Sequence, residues 1–241
     1  MSLLTLKRPL LQFKFEVRSL LAREPMLAPF NWPVIWWTQH KNRGIIDVSE
    51  CLVGSDTEFV IDGFQGSGNS FATVAFKKSQ TKPVRLAHHL HSPVQIIKAA
   101  RKEIPVLLTI REPKGAAISL TSRWPYVSLT QAVRGYCYFY EKIEPHADSL
   151  LVSPFTLTTK HLDAVIKRVN ERFATDFGVF EYSDEHMKEL RNPDALTSEQ
   201  EIKRSALKAE QKKNFENEVD RSLIKRAQEV YERLNQKGIT L

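Results

Sequence analysis

Ile104-Pro105-Val106-Leu107-Leu108-Thr109-Ile110 is an apolar run with almost no polar interruption. A strand with one wet face alternates apolar and polar residues, so an unbroken run reads as a strand covered on both faces. Further strand patterns fall at 59–63, 84–88 and 150–153. Between and after them lie helical patterns at 70–79, 92–102, 114–123, 129–147 and 160–173. Strands alternating with helices predict an α/β chain in three layers, α/β/α, around a central, mainly parallel sheet. Parallel strands joined in this way bring their carboxyl ends to one edge, where ligands bind.

The first predicted strand runs into Gly63-Phe64-Gln65-Gly66-Ser67-Gly68-Asn69-Ser70, and a helix follows. This is the spacing of a phosphate-binding P-loop, G-x-x-x-x-G-K-[ST], with Asn69 in the place of the Lys. Glycines let backbone N–H groups approach phosphate oxygens, and the helix N-terminus adds partial positive charge. The hydroxyls of Ser67 and Ser70 can reach the same oxygens. A P-loop-NTPase-like fold with a phosphate ligand is therefore expected. The missing ammonium, which normally reaches the β/γ-phosphates, argues against ordinary ATP or GTP hydrolysis.

The third strand delivers Arg111, and Pro113 suits the first turn of the next helix. Ser119 lies about two turns along that helix, so a guanidinium and a hydroxyl can clamp a second phosphate. The alternative is a plain ion pair between Arg111 and Glu112. The second strand ends in His88-His89-Leu90-His91. An imidazole titrating near 6.5 suits a general base, and structural histidines or a metal site are the other readings. Neighbouring strand residues face opposite sides and no Cys or carboxylate completes a ligand set, so no metal is expected.

These motifs resemble the sulfotransferases that use 3′-phosphoadenosine 5′-phosphosulfate. The resemblance covers roughly residues 58–155. That family's loop of the type P-K-S-G-T-T holds the 5′-phosphosulfate and is similar to Gln65-Gly66-Ser67-Gly68-Asn69-Ser70. Its I-x-R-x-P…S segment holds the 3′-phosphate and is similar to Ile110-Arg111-Glu112-Pro113 with Ser119. Its K-T-H-L-P histidine, the general base, falls on His89. The resemblance implies transfer of a sulfuryl group to a hydroxyl, with an amine less expected, and no metal.

The chain departs from the family in two places. The loop Lys falls on Gly66, leaving Lys77, Lys78 or loop groups such as Gln65 and Asn69 to replace it. The C-terminal R-K-G motif is not recognisable, and Arg204 with Lys208 is the nearest substitute. A P-loop-type nucleotide or small-molecule kinase is a second reading. A non-catalytic RNA- or membrane-binding module is a third.

The 241 residues, 42% hydrophobic, fit one sulfotransferase-like domain. It divides into an amphipathic and aromatic extension (1–57), a cofactor-binding core (58–155) and a helical part (156–241), whose last helix is expected to end in a C-terminal cap at Gly238. In the extension, a helix is expected from Leu10 onwards, with Pro9 breaking anything earlier. Aromatic residues at 30–37 and the helix carrying Tyr136 and Tyr140 offer either core or an apolar pocket. The net charge of +7 asks for an anionic partner: a nucleotide, a nucleic acid or a membrane surface. The acceptor is expected to be a small molecule, lipid or glycan, with no nucleic acid and with peripheral membrane contact through the N-terminus. Two cysteines are too few for a disulfide framework, and no secretory signal or transmembrane run is recognisable. The expected location is the cytoplasm, with membrane association.

Overall fold

The computed structural model describes residues 3–27, 29–31, 33–36, 51–183 and 197–239. Its elements are α1 (Leu3–Arg23), β1 (Phe59–Gly63), α2 (Asn69–Ser79), β2 (Leu86–His88), α3 (Pro93–Arg101), β3 (Val106–Ile110) and α4 (Pro113–Arg123). They continue with α5 (Leu129–Ile143), β4 (Leu151–Pro154), α6 (Phe155–Lys160), α7 (Leu162–Phe173), α8 (Ser198–Glu218) and α9 (Arg221–Gln236). The four strands form one all-parallel sheet in the order β2-β1-β3-β4.

Alternating side chains of the strands feed two separate apolar clusters. Phe59 and Ile61 of β1, Leu107 of β3 and Leu151 of β4 pack with α2 and α7. Val60, Val106, Leu108 and Val152 pack on the other side with α3, α4, α5, α8 and α9. Helices thus cover both faces, and the apolar run at 104–110 supplies the most buried strand.

Local chemistry sets the element ends. Glu112 accepts from Gly115 N–H and caps α4, with Pro113 in the first turn. Ser128 and Gln131 form a capping box on α5. That helix stops at Ile143, short of the expected 147, and a 3-10 turn follows over Glu144–Ser149. Pro145 has no N–H to continue the α pattern. The segment expected at 160–173 is α7, and the short α6 precedes it, the two separated where His161 leaves helical geometry.

Two expectations fail. Helix α1 continues through Pro9 to Leu3. Pro9 is exposed and near the start of the helix, so its cost is confined to one N-terminal hydrogen bond. Gly238 does not take the left-handed capping conformation. It pairs instead with Val152, and Ile239 N–H donates to the Val152 carbonyl at 2.9 Å, so the chain after α9 lies along β4.

Candidate functional site

Strand β1 crosses over through α2 to β2 on one side. Strand β3 crosses through α4 and α5 to β4 on the other. The carboxyl ends of β1 and β3 therefore flank the point where the winding reverses, and a crevice opens there. The glycine loop and Arg111 both sit at that point.

The loop is held from beneath by hydrogen bonds that engage two of the predicted ligands. Asn69 is buried, and its amide donates to the carbonyls of Gly63 (3.0 Å) and Phe64 (3.2 Å). Its Oδ1 accepts from the Thr109 hydroxyl. Tyr140 donates its hydroxyl proton to the Thr109 carbonyl (2.8 Å) and accepts from Phe64 N–H (3.2 Å). With that proton placed, Ser67 Oγ must be the donor in its 3.1 Å contact with Tyr140. The Asn69 side chain and the Ser67 proton thus hold the loop, and what the loop presents outward is backbone. Burial pushes the Tyr140 phenol well above the ordinary range, with the Ser67 and Phe64 hydrogen bonds partly offsetting it. Helix α2 begins without a side-chain cap, behind Gly68 at φ 98°. Its first N–H groups are thus open to an anion.

Gly66 is closed to any side chain. Its φ is 87°, and a Cβ would sit 2.8 Å from Ser119 Cβ and 2.9 Å from Ser119 Oγ. Ser119 is thereby brought against the loop, and its hydroxyl has no protein partner among the described residues. Arg111 comes to the same place. Its guanidinium donates to the Gly66 carbonyl at 3.1 Å and stacks over the Phe155 ring at 4.1 Å. The alternative pairing with Glu112 is not formed, because that carboxylate caps α4. Burial pulls Arg111 below the ordinary arginine range, with Glu112 partly offsetting it.

Helix α8 packs along α4 and adds cations. Arg204 Nε donates to Ser122 Oγ at 3.2 Å. Burial lowers Lys208, and Arg204, Arg111 and Arg123 lower it further. Burial lowers Arg204 too, followed by Arg123. Lys208 thus lies close enough to Arg111, Arg123 and Arg204 to be repelled by them, and none of the four has a carboxylate ion-pair partner among the described residues. Such a cluster is relieved by an anion.

The histidines separate into two systems. Lys77 Nζ lies 2.9 Å from His88 Nε2, and an ammonium only donates. With neutral rings, His88 Nδ1 then carries the proton and donates to His89 Nδ1 at 2.8 Å. His89 Nε2 in turn donates to Ser70 Oγ at 3.1 Å. Both nitrogens of His89 are engaged, which counts against it as the base. Ser70 keeps its own proton for an outward partner.

His91 is held differently. Its backbone N–H donates to buried Asp62 at 2.8 Å, and Nδ1 donates to the Gly63 carbonyl at 2.8 Å. Asp62 Oδ1 is 3.4 Å from the same nitrogen. Nε2 is the nitrogen left without a partner among the described residues. Both His89 (φ 60°) and His91 (φ 49°) have left-handed backbone, which turns the rings onto the loop. No three His, Cys, Asp or Glu side chains among the described residues converge as metal ligands.

Beside His91 and Gln65 opens a cavity of about 630 Å³, walled by α1 and α5. Phe139 and Gly135 line it, whereas Tyr136 and Tyr140 are core, with Tyr136 donating to the Arg111 carbonyl at 2.8 Å. Pro33 and Val34 of the aromatic stretch line it too, while Trp32 and Trp37 lie outside the described residues. The sequence reading missed Asp62, Thr109, Phe155 and Arg123. The one available signal was Asp62, an acid set in an apolar strand and followed by glycine. Comparison with protein-family models, with curated proteins and with solved structures returned no match.

Proposed function

We propose that this chain is a P-loop-like sulfotransferase that moves a sulfuryl group from 3′-phosphoadenosine 5′-phosphosulfate to a hydroxyl. The observation that carries the reading is a pair of adjacent anion-receptive places. One is the backbone-lined loop at Gly66–Ser70 with the uncapped start of α2. The other is the cluster of Arg111, Arg123, Arg204 and Lys208, whose nearby carboxylate, Glu112, is engaged in capping α4. A donor with phosphates at both its 5′ and 3′ ends matches two such places. A Cβ-free approach at Gly66 and the open hydroxyls of Ser70 and Ser119 fit the same donor.

When bound, the donor supplies an electrophilic sulfur and a phosphate leaving group. The loop N–H groups and Ser70 hold the 5′ end and stabilise charge on the bridging oxygen as the S–O bond breaks. Arg111, at the Gly66 carbonyl, lies between the two places, and Ser119, Arg204 and Lys208 hold the 3′ end. His91 takes the acceptor's hydroxyl proton on Nε2 as the new O–S bond forms, with Nδ1–H fixed by Gly63 and Asp62. His89, which the resemblance selects, acts through Ser70 instead. A cytoplasmic site of action goes with this reading. Peripheral membrane contact is supported by exposed Leu10, Phe13, Val17 and Leu20 beside Lys7, Arg8 and Lys14 on α1.

Calorimetry with adenosine 3′,5′-bisphosphate tests the donor. Binding is expected to be equal with and without Mg²⁺ and to weaken roughly ten- to hundredfold in Arg111→Ala, the loss of a charge-assisted contact. No heat from the pure protein sinks the reading. Tight Mg²⁺-dependent ATP binding would replace it with the kinase alternative. That alternative is less supported because Asn69 faces inward and Glu112 is committed to Gly115. Binding of RNA or anionic vesicles with steep salt dependence and no nucleotide saturation would favour the non-catalytic reading. For the base, His91→Ala should abolish transfer while His89→Ala retains part of it, and the reverse order would return the role to His89.

A further inference from the structure

The charged residues in the cavity lining are all basic, and its long walls are apolar. Helix α1 spans it as a roof. Polar ties fasten the roof along its edge: Glu16 to Arg134 (2.5 Å) and Gln131 (3.0 Å), and Glu24 to Lys142 (3.2 Å). The Ala22 carbonyl also accepts from buried Ser92 Oγ (2.7 Å). Between those ties, Phe15 packs on the core beside Phe64 and Gly135, while Leu11 and Leu21 of α1 line open space with Leu90 and Phe139. The roof is thus held by its rim and by Phe15, and the cavity lies beside that contact.

Gly135 marks the floor. It lies inside α5, where glycine is a poor helix former. A Cβ there would meet Phe64 Cε2 at 3.7 Å and Phe15 at 4.0 Å, which is ordinary contact. Alanine would fit, so the glycine is not required by backbone geometry or by crowding. Its effect is to let Phe64 and Phe15 come down close to the helix, so a large side chain there would push them into the cavity. At roughly 30 Å³ per heavy atom, the share of one water in the liquid, the cavity holds an apolar body of about 20 atoms. At the end near the glycine loop the lining turns polar, with Gln65 and His91. Lys14, Arg18 and Arg23 are the charged residues of the lining, with no carboxylate among them.

We infer that the cavity binds a single long-chain alcohol, its chain between α1 and α5 and its hydroxyl at His91. Three basic residues line the cavity and one of them, Arg23, pairs with Glu24 at 3.6 Å, so the lining disfavours long-chain amines. As an assignment of the acceptor this rests on the sulfotransferase reading, but the binding itself does not.

Calorimetry with dodecan-1-ol and with dodecylamine tests the inference on the intact chain, without donor. Saturable binding of the alcohol, at one per chain, is expected, with the amine at least roughly tenfold weaker. Gly135→Leu should weaken the alcohol roughly tenfold or more by filling the floor, and Gly135→Ala should weaken it less. Both variants should keep wild-type affinity for adenosine 3′,5′-bisphosphate, which also reports that they fold. No saturable binding of the alcohol, equal binding of the amine, or full affinity in a folded Gly135→Leu overturns the inference. Loss of bisphosphate binding by the wild-type chain, with the alcohol still bound, overturns the donor reading alone and leaves the cavity assignment standing.

Discussion

Gly66 is where a single residue decides most. Its positive φ and its contact with Ser119 are independent demands, and each excludes a side chain. Gly66→Ala is expected to destabilise the fold by about 1–3 kcal/mol, read as a lower urea midpoint. Adding Ser119→Gly should recover the contact part only. Full recovery would mean that the backbone carries no strain. The same two demands explain why no Lys can occupy position 66. Lys77 is joined to Ser70 through His88 and His89. Lys77→Met should slow transfer roughly ten- to hundredfold, about the 1.5–3 kcal/mol of a hydrogen bond to a charged group. Bisphosphate affinity should be unchanged, and Lys77→Arg should restore most of the rate. A Lys77→Met enzyme with full rate would show that the hydrogen-bonded chain only positions rings.

At the scale of elements, the two helices around the site have different tasks. Helix α8 carries Arg204 and Lys208 to the cluster around Arg111, a placement no local pattern reveals because it depends on α8 docking along α4. Charges on a helix face usually read as solvated. Here the lowering of Lys208, by burial and then by Arg204 and Arg111, marks them as neighbours. Arg204→Ala with Lys208→Ala should weaken bisphosphate binding and flatten its salt dependence. Helix α5 holds the loop through Tyr140 and leaves the cavity open through Gly135. Gly135→Ala should raise stability by about 1 kcal/mol, from helix propensity alone, and move Tm up by roughly 2–4 °C. A fall in Tm would mean that Phe64 and Phe15, which the Cβ meets at 3.7 and 4.0 Å, cannot accommodate it.

For the whole molecule, burial of weak acids makes alkaline pH destabilising. Burial raises Tyr126, Tyr136, Tyr140, Tyr182 and Tyr231 above their ordinary range, and pushes the Cys137 thiol up to about 12. A folded-state value above the unfolded one means that the native state holds protons the unfolded chain has lost. Stability is then complete below the unfolded values near 9 and 10, and falls as pH rises through the folded ones. Thermal midpoints should hold steady to about pH 9 and decline between roughly pH 9 and 12. A flat profile over that window would contradict burial as the cause. Both cysteines are buried thiols outside any disulfide, so no disulfide enters this balance. No helix among the described residues is long and apolar enough to cross a membrane, so any lipid contact through α1 is at a surface.

Periodicity was enough for the layered plan. The four strands and the helices after them fall within a few residues of their patterns, because burial on two faces or on one stripe leaves a local record in the order of residues. The loop, Arg111 and Ser119 were legible for the same reason, since glycine spacing and strand ends are local. Which hydroxyl keeps its proton was not. Asn69 and Ser67 look like ligands in sequence, and only the approach of Thr109 and Tyr140 from other elements turns them inward. His91 could not be separated from His89 until Asp62 and Gly63 were seen holding one ring and Lys77 feeding the other. Patterns along a chain report which face an element buries. Proton positions and charge clusters depend on which faces meet, and the packed sheet and helices alone decide that.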